Sequence, residues 1–354
     1  MGKFKGKNIF KIHQWAGLMA GVFIFLMGIT GSVLVFHHDL DAIEHRTVWT
    51  VSNSAPVSID RAYAAVIGEY QNWDIRLQRF SANPNEILVF QLRRPDRRLT
   101  VFTHPSTGEI LKEVDTEDTL VNWILKLHYA LHAGLVGEII ILLVGIAYLI
   151  SLITGVIVYR KSILKTLTFS TRVNRRSKRT LASTLHRYVG VWALLLNLLV
   201  VLTGAVISYE IVANALKKPA GPAPLAENLP IKTSIDQALK TIASQNIHFK
   251  PSYIRFPQQL GAPVLINGRA DNQSLFYSQY YNSITLNPES GELSGPELAN
   301  TKSTAIQVSS LVRGIHFVEF GNWAVKILFM LIGLSAPLLS ITGFLLWKWK
   351  HKRK

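Results

Sequence analysis

Four histidines in this chain recur with the same neighbours. His13 is followed four residues on by Gly17, and His186 by Gly190; Thr30-Gly31 and Thr203-Gly204 then stand 17 residues after their histidines. His128 and His316 each precede another such pair, Thr154-Gly155 and Thr342-Gly343, by 26 residues. A neutral imidazole ligates metals through one ring nitrogen, and its charge changes near neutral pH. Matched histidines are therefore candidates for metal ligation, the plainer reading being interfacial polar residues at helix ends. Two matched pairs suit the axial positions of two haem irons, each taking two imidazoles.

The elements that must position these histidines are membrane helices. Four apolar segments are long enough to cross a bilayer, which takes about 20 residues: Ile12 to Phe36, Leu135 to Tyr159, Tyr188 to Tyr209 and Trp323 to Trp347. A cleaved signal peptide is a poor reading of the first. Its apolar run is too long, and His37-His38-Asp39 follows in place of a small-residue cleavage site. Trp15, Trp192, Trp323, Trp347 and Trp349 fall near segment ends, as interfacial aromatics do.

Charge sets the expected orientation. The chain of 354 residues carries a formal +16. Residues 1–12 hold four Lys, residues 160–187 nine Lys or Arg and residues 348–354 five, with no acidic residue among them. The rest sums to −2, from 20 basic and 22 acidic residues. An excess confined to short segments beside apolar stretches is the positive-inside pattern, and puts both termini in the cytoplasm. A nucleic-acid groove would need basic and aromatic residues together on a folded surface, and no nucleic-acid partner is expected. There is no Cys, which removes disulfides, iron–sulfur clusters and covalently attached c-type haem.

The chain reads as a tandem duplication. Besides the histidine patterns, Ser58-Ile59-Asp60-Arg61-Ala62 answers Ser234-Ile235-Asp236-Gln237-Ala238. Pro105-Ser106-Thr107-Gly108-Glu109-Ile110 likewise answers Pro288-Glu289-Ser290-Gly291-Glu292-Leu293. The halves run parallel, each as helix, extracytoplasmic domain, helix. Residues 57–70 predict an amphipathic helix behind a Ser cap. Alternation then predicts strands over Ile75–Phe80, Ile87–Leu92 and Leu99–Thr103, followed by Glu109-Ile110-Leu111 after a turn. Residues 232–293 repeat the plan, and Lys217 to Pro230 read as an extended Pro-rich linker. In this topology His13 and His186 share the cytoplasmic level, and His128 and His316 the outer one. At a rise of about 1.5 Å per residue, each Thr-Gly pair returns to the level of the other histidine pair. Gly17 and Gly190, one turn from His13 and His186, would leave room for a flat macrocycle. The Thr-Gly pairs read equally well as plain helix-packing positions.

The "IHQWAGL…TGSVLVF" helix, the "SIDRA" helix with its "HPSTGEIL" strand end, and the "LH…TGVIVYRK" helix resemble the PepSY-associated transmembrane family over nearly the whole chain. The resemblance implies an α-helical membrane protein of the bacterial inner membrane, with four transmembrane helices and two small α+β PepSY-like periplasmic domains. The corresponding boundaries are residues 1–36, 37–127, 128–160, 161–185, 186–209, 210–315, 316–347 and 348–354. It further implies haem b, one or two per chain, for which the matched pairs His13 with His186 and His128 with His316 are the expected axial ligands. The activity it implies is reduction of a ferric siderophore, with release of Fe(II) for iron uptake.

Secondary candidates follow. His132, one turn after His128, cannot be its trans partner, and is a propionate partner, a substrate contact or a back-up ligand. His37, His38 and His45 are candidates to line the outer site. Tyr277, Tyr280 and Tyr281 are candidate substrate contacts, in a pocket expected between the outer helix ends and the inner domain faces. Glu138 and Lys326 occupy equivalent positions and are expected to pair. No nucleotide-binding fingerprint is present, so the electron donor is expected to be a quinol or a separate cytoplasmic reductase. The alternative is a non-enzymatic, membrane-anchored module whose PepSY domains bind a peptide or protein.

In this Cys-free chain, single cysteines at Ser177 and Ser274 are expected to label from opposite sides of the membrane, Ser177→Cys from the cytoplasm. Labelling of both from one side would refute the four-helix topology.

Overall fold

The computed structural model describes residues 2–52, 54–217, 226–227, 229–245 and 248–352. Most of the Pro-rich linker, and the last two residues of the basic tail, lie outside them. In chain order the helices are α1 (Gly2–Leu34), α2 (His37–Glu44), α3 (Ile59–Glu69), α4 (Leu120–Ala130), α5 (Gly134–Tyr159), α6 (Ile163–Leu167), α7 (Lys178–Trp192), α8 (Leu194–Lys217), α9 (Ile235–Ser244), α10 (Thr304–His316) and α11 (Trp323–His351). The strands are β1 (Asp74–Arg79), β2 (Leu88–Arg93), β3 (Arg98–Thr103), β4 (Ile110–Asp115), β5 (Phe249–Arg255), β6 (Val264–Ala270) and β7 (Ser283–Leu286). The chain forms two units. One comprises residues 1–37, 124–218 and 316–354; the other, residues 38–123 and 219–315.

The first unit is a helix bundle. Four of its helices are long and apolar enough to cross a membrane: Lys7–Leu34, Gly134–Tyr159, Leu194–Lys217 and Trp323–His351. Met19, Val22, Leu143, Leu195 and Leu331 lie exposed on them, as lipid-facing side chains do. α1 packs on α5 and α11, α8 on α5, and both α7 and α8 on α11, so the four spans form a closed ring. Small and polar groups set its contacts. Pro337, inside α11, has its ring against Gly28 of α1, a position with no room for a Cβ. Asn197 Nδ2 donates to Ser335 Oγ at 2.8 Å, both buried. Without such a partner a buried amide would cost stability in a dry bundle.

The sequence placed His128, His186 and His316 at the ends of the spanning helices themselves, and here the structure differs. His128 lies on α4, which ends at Ala130; Leu131, His132 and Gly134 take positive φ to turn the chain into α5. His316 is the last residue of α10, and a turn with Val318 at φ 55° precedes α11. His186 lies on α7, which breaks from α8 at Ala193. Three of the four histidines therefore sit on separate shorter helices, not on the spans.

The second unit is α+β. The two expected domains share one antiparallel sheet, ordered β4-β3-β2-β1-β5-β6-β7, with β1 and β5 paired at its centre. α3 and α9 cover one face. Ile59, Ala62, Tyr63 and Val66 from α3, and Ile235, Ala238 and Ile242 from α9, bury against Ile75, Leu77, Phe90, Leu92, Leu99, Val101, Ile254 and Ile266. The Ser caps are as the sequence predicts. Ser58 Oγ accepts from Arg61 N, and Ser234 Oγ from Gln237 N.

Each helix start is also capped by the other helix. Asp236 accepts from Ser58 Oγ and Ile59 N, both at 2.8 Å. Asp60 accepts from Ile235 N at 2.7 Å and from Ser234 Oγ. A carboxylate at a helix N-terminus meets free N–H groups and the positive end of the macrodipole. Burial and the Asp236 charge push the Asp60 carboxyl above its ordinary range, while the hydrogen bonds from Ser234 and Ile235 oppose them. Asp236→Ala is expected to lower the stability of this unit by about 1–2 kcal/mol, read as a lower urea midpoint for the detergent-solubilised protein. An unchanged midpoint would refute the reciprocal cap.

Candidate functional site

The bundle unit brings the four histidines together as two pairs. The rings of His13 and His186 lie 6.2 Å apart between centroids, with an interplanar angle of 75°. His128 lies within electrostatic range of His316.

Every one of the four imidazoles has its Nδ1 anchored to another helix. His128 Nδ1 is 2.8 Å from Thr30 Oγ1 of α1, and His316 Nδ1 is 3.0 Å from Thr203 Oγ1 of α8. His186 Nδ1 is 2.9 Å from Thr342 Oγ1 of α11, and His13 Nδ1 is 2.9 Å from the Ser151 carbonyl of α5. These partners decide the tautomers. Thr30, Thr203 and Thr342 each donate their hydroxyl proton to the carbonyl four residues earlier, those of Leu26, Leu199 and Leu338, at 2.7, 2.9 and 2.7 Å. Their oxygens are left to accept, so the proton lies on the histidine Nδ1. The Ser151 carbonyl can only accept. The arrangement fits Nδ1–H on all four rings, with the lone pair on Nε2, the nitrogen turned away from the anchor.

The glycine after each Thr makes this possible. A Cβ at Gly31 would stand 3.1 Å from His128 Cε1, and one at Gly204 3.0 Å from His316 Cε1. At Gly155 it would stand 3.2 Å from His13 Cε1, and at Gly343 3.4 Å from His186 Cε1. Each imidazole lies against helix backbone where a side chain would crowd it. Thr-Gly is thus a matched acceptor and recess for a ring from another helix. The regular His-to-Thr spacing was its trace in the sequence. Its role as a hydrogen-bond partner was not visible there. A Cβ added at Gly17 or Gly190 would meet only ordinary contacts, Ser151 Oγ at 3.4 Å and Leu339 Cδ2 at 3.6 Å.

A bis-imidazole iron needs two metal–nitrogen bonds of about 2 Å in line, which sets ring centroids roughly 6 Å apart. The His13–His186 separation of 6.2 Å fits it. Among the described residues no group of three or more His, Cys, Asp or Glu is placed to hold a bare metal ion. Pairs of imidazoles suit a macrocycle that brings four nitrogens of its own.

The secondary candidates are dispersed. His132 is exposed in the turn after α4. His37 Nδ1 meets the Leu34 carbonyl at 3.0 Å, and His38 follows on α2. His45 is buried over the Phe102 ring at 4.8 Å, beside Lys112 Nζ at 3.4 Å. Burial, then the Lys112 charge, lower its pKa, so it is a neutral core histidine of the sheet unit. Tyr277 Oη donates to Gln307, Tyr280 lies edge-on to Tyr253 at 5.2 Å, and the Tyr281 carbonyl accepts from Lys302. All three are in the sheet unit. The expected Glu138–Lys326 pair does not form. Glu138 Oε2 is buried without a hydrogen-bond partner among the described residues, and Lys326 Nζ lies 5.9 Å from the centroids of both the Phe36 and the Trp323 rings. Matching positions along two helices fix neither which faces turn inward nor which side chains meet.

The family model for the PepSY-associated TM region matches residues 10–350. A search of curated proteins returned no significant match.

The anchoring geometry is testable without any cofactor. In protein labelled with ¹⁵N-histidine, His128 and His316 are expected as Nδ1–H tautomers, and Thr30→Val and Thr203→Val should shift the respective signals toward the Nε2–H form. Unchanged ring-nitrogen shifts in both variants would show that the threonines do not set the tautomer.

Proposed function

From the premise that this chain belongs to the PepSY-associated TM family, we propose that it is a haem-containing reductase of the bacterial inner membrane. It passes electrons across the bilayer to a periplasmic ferric siderophore. The observation that carries this reading is the pair of matched imidazole sets, each ring held by Nδ1 with Nε2 left as the ligand.

His13 and His186 would hold one haem b, and His128 and His316 a second. Each, when bound, supplies a one-electron Fe(III)/Fe(II) couple at its level of the bundle. The residues of the chain orient and insulate. Thr30, Thr203, Thr342 and the Ser151 carbonyl keep the Nδ1 proton in place, which makes Nε2 more basic and stops the ring turning. Gly31, Gly155, Gly204 and Gly343 let the rings sit back against the helices. Apolar side chains on the outer faces of the spans meet lipid. The basic segments orient the chain, with both termini and the loop between α5 and α7 cytoplasmic and the sheet unit periplasmic. His128 and His316 lie within a few residues of where the chain passes between the units. A tandem duplication accounts for the paired features, including Thr30–His128 with Thr203–His316 and Asp60 with Asp236.

One electron converts Fe(III) to Fe(II), which binds hard oxygen donors far more weakly and leaves the chelate. The electron enters from a quinol or a cytoplasmic reductase. In His13→Ala or His186→Ala one haem equivalent should be lost and the other kept, and His128→Ala or His316→Ala should do the reverse. Protein reduced with dithionite and freed of excess reductant should then reoxidise on adding a ferric siderophore, in step with Fe(II) trapped by ferrozine. Haem that stays reduced across several chemically distinct ferric siderophores would sink the reductase reading. Full haem absorbance in all four variants would remove these histidines as ligands.

A further inference from the structure

The sheet unit has a second face, opposite α3 and α9, whose chemistry the proposed electron path does not use. Strand alternation sends Ile75, Leu77, Leu92, Leu99 and Ile254 into the helix-covered core. The residues between them therefore point the other way. In register there, Arg76 of β1 stands directly opposite Arg255 of β5, and Arg93 of β2 directly opposite Arg98 of β3. Like charges in direct cross-strand pairs are destabilising, yet this face has two such pairs in adjacent rows, one at the central β1–β5 junction and one at the turn end of β2 and β3.

One carboxylate stands among them. Asp74 is opposite Arg93 in the register, but its oxygens are taken up by Arg76, at 2.5 Å from Nη2, and by Arg255, at 3.7 Å from Nε. Arg93 donates to the neutral Gln91 Oε1 at 2.5 Å. Among the described residues neither Arg93 nor Arg98 has an ion-pair partner. Burial, and then the Arg76 charge, push the Arg93 guanidinium down to about 10. Asp74 thus answers Arg76 and Arg255, and leaves the Arg93–Arg98 pair with no carboxylate of its own among the described residues.

We infer that this face of the sheet is a binding site for a small, oxygen-rich anion that bridges Arg93 and Arg98. Within the proposed reaction, on which this second step rests, the anion is a ferric chelate of net negative charge. Guanidinium groups take carboxylate or catecholate oxygens in a planar, bidentate way. The Arg76 side chain is 18% exposed and Arg93 is half-buried, while Arg98 is exposed at the rim. Tyr253 accepts from Arg76 Nη1 at 3.3 Å, and beyond it Tyr280 lies under Arg313 at 4.6 Å, an aromatic wall to one side. Further along the strands, Trp49 and Val89 close the face with an apolar cluster around Phe102.

Binding and reduction are separated by using redox-inert Ga(III). Full-length protein in phosphatidylcholine nanodiscs is titrated with the trianionic Ga(III) complex of a tris-catecholate and the monocationic Ga(III) complex of desferrioxamine B. The anionic complex should bind at least about tenfold tighter, and its affinity should fall with salt. Arg93→Gln and Arg98→Gln should each lose roughly tenfold, with Arg98→Lys recovering part and the far-UV circular dichroism unchanged. Equal affinity for the two complexes, no binding of the anionic one, or indifference to both Gln variants would overturn the site. So would loss of binding when phosphatidylglycerol replaces phosphatidylcholine, which would make this face a lipid contact. Arg-dependent Ga(III) binding with no Fe(II) released from the matching iron complex would support the anion site while refuting the reductase. Reduction of the iron complex at wild-type affinity in both Gln variants would do the opposite.

Discussion

An imidazole has two ring nitrogens, and neither can be used freely until the other is accounted for. Inside a helix bundle, where water is scarce, the ring proton needs a protein acceptor or the side chain carries an unmet polar group. His13, His128, His186 and His316 all meet this demand through Nδ1, by reaching another helix. Each of these bonds also ties two helices at a defined depth. The requirement that orients the histidines thus helps to hold the bundle in register, and it leaves Nε2 as the available ligand atom on each ring.

The threonine and glycine of each Thr-Gly pair do separate jobs in that arrangement. The threonine hydroxyl spends its proton on its own helix, so only its lone pairs face the imidazole. The glycine removes the Cβ that would stand 3.0–3.4 Å from the ring carbon. His13 breaks the pattern. Its Nδ1 meets the Ser151 carbonyl, one turn before Thr154, whose own hydroxyl bonds to Ile150 O at 2.6 Å. A backbone carbonyl and a hydroxyl are not equivalent acceptors, so the two imidazoles of the His13–His186 pair differ in their electronic environment.

The sheet unit solves a different problem with the same economy of pairing. Alone, β1–β4 and β5–β7 would each leave an edge strand exposed; pairing β1 with β5 removes both inner edges. The exchange of Asp60 and Asp236 between helix N-termini ties α3 to α9 above that junction. The same junction brings Arg255 beside Arg76 on the opposite face, so joining the two half-sheets also concentrates positive charge there.

Composition and periodicity alone settled the existence of the four spans, the Ser-capped helices of the sheet unit, most strand positions and the identity of the matched histidines. These follow from local rules, namely hydrophobic run length, alternation and cap chemistry, which act over a few residues. The breaks at α4, α7 and α10 were not legible, because a turn between two helices can be built from residues such as Leu131 and Val318 that carry no turn signal. Nor was the choice of partners. Spacing placed Thr30 and His128 at one depth, as it did Glu138 and Lys326, yet the first pair meets and the second does not. Depth is set by counting residues along one helix. Contact also depends on which helices are neighbours and which faces they turn inward, and only the packed structure decides that.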